Sequence, residues 1–138
     1  MFNAAADPTM ATPDTNPTGR MVDPHAEEWE RTYAMFTHLS LLTVHMLVPV
    51  IPAVALWLIK RDKSPFVDDH GREAINFQIS LVLYTLIAWP LATLLTCGIG
   101  AVLIIPIYAL GIIGMVVAAV AAHKGEYYRY PATIRFLH

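Results

Sequence analysis

The stretch from Ala74 to His123 reads AINFQISLVLYTLIAWPLATLLTCGIGAVLIIPIYALGIIGMVVAAVAAH, 50 residues without one Asp, Glu, Lys or Arg. The hydrocarbon core of a bilayer is about 30 Å thick, so a spanning helix needs roughly 20 apolar residues. The run therefore accommodates two such helices and a turn. Thr96-Cys97-Gly98-Ile99-Gly100 is its turn-like cluster, because two glycines so close permit a tight reversal. This reading places spans near 75–96 and 101–122.

Working outward, residues 32–59 also lack all four charged residue types. They supply a third span near 36–59. The expected fold class is therefore all-α, an integral membrane helical bundle with three transmembrane helices. Pro49 and Pro52 each remove a backbone donor and kink a helix. A broken first span, giving four segments, is the alternative. Pro90 and Pro106 invite similar bends in the other two.

The 20 charges of the 138-residue chain are confined to residues 1–31, 60–73 and 124–138. Charged residues make up 14% of the chain and hydrophobic ones 56%, against about 25% charged in soluble domains. A chain this short has too much surface to hide two such charge-free stretches in a water-soluble core. That excludes a soluble enzyme. A net charge of −2 gives no basic field for nucleic acid. The lone Cys97 forbids an intrachain disulfide.

Residues 1–24, interrupted by Pro8, Pro13 and Pro17, are expected to be a disordered tail, with 25–138 a single helical membrane domain. They show neither the basic start nor the apolar run of a signal peptide. Asp23-Pro24 reads as an N-cap followed by proline at the first helical position, and Ser64-Pro65 repeats the signature. Trp29, Tyr33 and Phe36 share one face and suit the headgroup layer. Lys60, Arg61, Lys63 and Arg72 in the central loop, with Lys124, Arg129 and Arg135 in the tail, outnumber Arg20 and Arg31. With three spans, the positive-inside rule puts the N-terminus outside and the C-terminus in the cytoplasm.

Polar residues entering the membrane are the candidates for chemistry. Asp69, Glu73, Asn76 and Ser80 recur at intervals of 4, 3 and 4, which lines them along one helical face. His38 and His45, seven apart, share a face of the first segment. One reading is a polar path between helices in which a histidine meets Glu73; the other is interhelical hydrogen bonding. No set of ligands has a recognised metal spacing, and His70 with Glu73 reverses the Glu-x-x-His order of di-iron helices. No metal or cofactor is expected. Gly111, Gly114, Ala118 and Ala121 form a small-residue face suited to close helix packing, within the chain or between copies.

Three segments carry a family resemblance: His38-Leu39-Ser40, the run from Trp57 through Ser80 (WLIKRDKSPFVDDHGREAINFQIS), and the closing Lys124 to Pro131 (KGEYYRYP). Over about residues 30–138 the chain resembles a prokaryotic membrane family of unknown function that includes the magnetosome proteins MamF and MmsF. That family is described as distantly like the Tic subunit of chloroplast protein import. The resemblance implies a small, multi-pass inner-membrane protein without an assigned activity. Its magnetosome members are associated with control of magnetite crystal size. No mineral-binding residue is carried over, since the 60–73 loop balances four acids with four bases and the 96–100 turn has no carboxylate.

The leading expectation is a non-enzymatic membrane protein acting by helix association. Its partners are the lipid bilayer and either further copies or other membrane proteins. A small oligomeric channel or permease using the Asp69–Ser80 stripe and the two histidines is the alternative.

Overall fold

The computed structural model describes residues 15–42 and 50–138. Among these it is mostly helical, with two isolated β-bridges and no strand. Helix α1 spans Glu28–Ser40, α2 Ile51–Lys60, α3 Pro65–Leu83, α4 Trp89–Leu95 and α5 Ile104–His123. A wide helical turn, Tyr84–Ala88, joins α3 to α4, so residues 65–95 form one continuous helical rod. Pro90, which cannot donate to the helical ladder, lies just after this turn. Pro106 falls in the first turn of α5, just after the tight turn Ile99–Leu103.

Local chemistry sets the ends. The Ser64 hydroxyl accepts the Val67 amide at 3.2 Å with Pro65 at the first position, the cap that the sequence pattern predicts for α3. The cap expected at Asp23-Pro24 instead sits four residues later. Glu27 and Glu30 exchange a capping box there, while Asp23 accepts the His25 amide at 3.0 Å in a local turn. At the 96–100 reversal Cys97 and Gly98 both take positive φ, 51° and 98°. Gly100 lies so close to Ala92 that a Cβ would stand 2.6 Å from its carbonyl carbon. α5 ends in a Schellman motif: Glu126 N–H donates to Ala121 O at 2.9 Å and Gly125 N–H to Ala122 O at 3.0 Å, with Gly125 at φ 77°.

Among the described residues two helices are long and apolar enough to cross a membrane, 65–95 and 99–123, with hydropathies of 1.7 and 2.6. The expected third span, 36–59, does not form as one rod. α1 and α2 have 13 and 10 residues, about 20 and 15 Å long at 1.5 Å per residue, each short of a bilayer core. They run antiparallel: Lys60 lies over the Trp29 ring, and the Tyr33 hydroxyl donates to Leu56 O at 2.6 Å. Pro52 opens α2, after Val50 at φ 70°. Pro49 lies outside the described residues.

α1 packs against α5 and α3, and α2 against α3. The core centres on Leu41, Ala53, Ile75, Leu81, Met115 and Ala118, with a smaller cluster of Ala26, Ala34, Phe66 and Ala122. Beyond this head the chain extends as the α4–α5 hairpin, where Leu94 and Ile99 are each 77% exposed.

Residues 20–24, the end of the expected 1–24 tail, are hydrogen-bonded to the segment that follows α5. Asp23 N–H donates to Gly125 O and Tyr127 N–H to Met21 O, both at 2.9 Å, and Arg20 pairs with Glu126 at 3.1 Å. The segments flanking the helical body therefore lie side by side. The hydrogen bonds hold residues 20–23 and 125–127 at the same end of the bundle.

Candidate functional site

The polar stripe of α3 is a built surface, and its occupant is the chain's own tail. Glu73, 3% exposed, accepts the Tyr130 amide at 2.8 Å, and Arg135 approaches its two oxygens at 3.3 Å each. One turn on, Asn76 Oδ1 accepts the amides of Phe136 and Leu137 at 3.0 and 2.9 Å, while its Nδ2 donates to Leu137 O at 2.9 Å. Ser80 Oγ accepts the Ile134 amide at 2.9 Å. Asp69 holds Arg129 through two bonds of 2.6 Å. The stripe continues to Tyr84, whose hydroxyl donates to Ala132 O at 2.5 Å. All four predicted stripe residues are thus brought together, with Tyr84 as a fifth that the same spacing could have found.

This arrangement recognises backbone. Extended chain offers alternating N–H and C=O groups, and buried ones must be paired. A side-chain amide is suited to that, being donor and acceptor at once. The charges around the rail pair locally, Asp68 with Arg72, whose guanidinium also meets the His138 carbonyl. They border a cleft of about 340 Å³. Hydrogen bonding to Asp69 holds the Arg129 guanidinium above its ordinary range.

Beneath the rail lies a second polar group that sequence reasoning assembled differently. His38 is fully buried and, among the described residues, meets no carboxylate. Its Nε2 lies 2.9 Å from His70 Nδ1 and its Nδ1 3.0 Å from the Tyr130 hydroxyl. The expected contact with Glu73 is replaced by Tyr130, whose hydroxyl reaches His38 and whose amide reaches Glu73. A neutral chain satisfies the geometry: Tyr130 O–H donates to His38 Nδ1, and His38 Nε2–H to His70 Nδ1. The remaining His70 Nε2 faces the Glu126 carbonyl outside hydrogen-bond geometry. Phe77 stacks on Tyr130 at 3.9 Å, and Phe66 packs on His70 at 4.4 Å between ring centroids. Burial pushes the Tyr130 hydroxyl well above its ordinary range. Burial, then Asp23, pushes Tyr127 up to about 12. His45 lies outside the described residues.

The small-residue face of α5 packs inside the molecule. Ala118 and Ala121 are buried, and a Cβ on Gly114 would touch the Tyr130 ring at 3.4 Å. Gly111 faces Leu81 across an apolar cleft of about 480 Å³. Among the described residues no three His, Cys, Asp or Glu side chains group to hold a metal ion.

Apolar helices long enough to cross a bilayer, joined to a charged head fastened by its own tail, define a small helical membrane protein. The chain belongs to the magnetosome magnetite crystal formation protein family, MamF and MmsF, whose model matches residues 29–137. No curated protein and no solved structure matches it significantly.

Proposed function

We propose that this protein is a non-enzymatic, multi-pass component of the magnetosome membrane that contributes to magnetite crystal formation by helix association, with further copies or with other membrane proteins. The observation that carries the reading is the α4–α5 hairpin. Leu91, Leu94, Ile99, Val102, Ile105 and Leu110 are all more than half exposed on it. An apolar surface of that extent suits contact with lipid tails or other membrane helices and is costly in water.

In this reading the 65–95 rod and the 99–123 helix cross the bilayer, and the α1–α2 hairpin enters part-way. All nine Lys and Arg residues then belong to one face, which the positive-inside rule assigns to the cytoplasm. The opposite face receives only the uncharged 96–100 turn. The hydrogen bonds that fasten the tail to Glu73, Asn76 and Ser80 support a structural role for the stripe over a permeation path.

Cysteine accessibility in intact cells and inverted membrane vesicles tests the topology. Native Cys97 is exposed and should label from the side opposite to single cysteines at the exposed positions 21, 63 and 124, introduced after Cys97→Ser. Position 21 labelling from the side opposite to 124 would refute it. Crosslinking in native membranes tests association, and recovery of monomer alone would count against it.

A further inference from the structure

The outward face of α1 and the end of α2 border an open, shallow groove of about 650 Å³ that the tail-docking site does not use. Trp29, Tyr33 and Phe36 line its length from one face of α1. The Tyr33 hydroxyl is committed to Leu56 O, so the ring closes the floor. Phe36, 53% exposed, lies at the apolar end. The other end is charged: Lys60 Nζ stands 5.5 Å from the Trp29 ring centroid, beside Glu27 and Glu28. The Glu27 carboxylate accepts the Trp29 indole N–H at 2.7 Å and closes the capping box. Among the described residues the Glu28 carboxylate has no hydrogen bond or ion pair, and Lys60 has no carboxylate partner.

A groove with unpaired charge of both signs at its mouth and an aromatic, apolar floor matches one kind of amphiphile. We propose that it binds a phospholipid whose headgroup carries a phosphate and a primary ammonium, a phosphatidylethanolamine. Lys60 meets the phosphate, the Glu28 carboxylate accepts from the ammonium, and an acyl chain lies along Tyr33 and Phe36. Two carboxylates against one lysine leave the mouth net negative, which disfavours an anionic headgroup. A quaternary ammonium has no N–H to donate to Glu28, and the Trp29 face that would attract it is already covered by Lys60. The inference rests on the membrane reading above.

Native mass spectrometry of the full chain, released from mixed bilayers of phosphatidylethanolamine, phosphatidylcholine and phosphatidylglycerol with identical acyl chains, tests it. The ethanolamine lipid should be retained about tenfold over the other two, the value of one charge-assisted contact. The double variant Lys60→Gln, Glu28→Gln should lose the preference, while Phe36→Ala should lower retention of all three lipids. Soluble phosphoethanolamine at millimolar concentration should not displace the lipid. Equal retention of the three lipids, an intact preference in the double variant, or displacement by soluble phosphoethanolamine would each overturn the proposal. An alkaline wash of the membranes separates the two readings: release of the protein defeats the membrane assignment, whereas retention without lipid preference defeats this site alone.

Discussion

The Glu73 carboxylate accepts the backbone N–H of Tyr130 at 2.8 Å, joining the middle of α3 to the start of the tail. Arg135 closes on the same carboxylate, and Glu73 is nearly inaccessible. Glu73→Ala leaves that buried amide unpaired and removes the anchor of the guanidinium, a loss of about 1–3 kcal/mol. Glu73→Gln keeps an acceptor for the amide and should cost less. Unfolding of the detergent-solubilised protein in denaturant gives the order. Two variants as stable as the parent would show that the contact contributes nothing.

Asn76 makes three bonds to the tail backbone, two accepted and one donated. Asn76→Ala should release residues 134–138 while leaving α3 intact, and Asn76→Asp should retain the acceptors but not the donor. Limited trypsin digestion followed by mass spectrometry should then cut at Arg135 faster in Asn76→Ala than in the parent, with Asn76→Asp between them. Identical cleavage rates would mean that the tail is held elsewhere.

The His38, His70 and Tyr130 chain calls for a double-mutant cycle. Tyr130→Phe keeps the stack on Phe77 but leaves the buried His38 Nδ1 without its partner, an expected loss of about 1–3 kcal/mol. His38→Phe leaves both the Tyr130 hydroxyl and His70 Nδ1 without a partner and should cost more. If the two act through one network, the double variant loses less than the sum. Strict additivity would separate them.

Much of the fold is legible in the residues. The charge-free run announced two apolar helices, the paired glycines placed their reversal, and Ser64-Pro65 marked the start of α3. The spacing of Asp69, Glu73, Asn76 and Ser80 identified a common face. Periodicity says which residues share a face and is silent about what covers it. Here the cover is extended tail bound through main-chain groups, which carry no side-chain signature. The pairing of residues 21–23 with 125–127 was hidden for a related reason: it is long-range and made by backbone. Pro52 signalled a break, but the antiparallel course of α1 and α2 depends on where Trp29 meets Lys60, which no local pattern contains.

Tyr127 supplies a pH dependence. Its hydroxyl donates to Asp23 at 3.2 Å, and burial first, then Asp23, raises its pKa from 10.0 to about 12. A raised pKa favours the neutral phenol in the folded state. The stabilisation is therefore complete below pH 10 and lost as pH climbs from 10 towards 12. Tyr127→Phe should narrow the stability difference from the parent across that window, read from denaturation midpoints at stepped pH. A constant difference would rule out this linkage.

Gly71 and Trp57 set how closely α2 approaches α3. A Cβ on Gly71 would stand 2.3 Å from Trp57 Cδ1, and Trp57 is held in turn by its indole N–H bond to Asp68 at 2.7 Å and by Arg61 over its ring. Even one methyl group has no room unless the ring or the helix moves. Overpacking of this kind costs about 1–3 kcal/mol. Gly71→Ala should therefore destabilise the protein although alanine is the better helix former, which isolates packing from propensity. Trp57→Ala removes the two nearest atoms, Cδ1 and Cγ, and should restore much of the loss when combined with Gly71→Ala, relative to Trp57→Ala alone. Denaturation midpoints of the four proteins give the coupling. Equal effects of Gly71→Ala in the two backgrounds would place the strain somewhere other than the ring, and a stabilising Gly71→Ala would show that α2 yields freely.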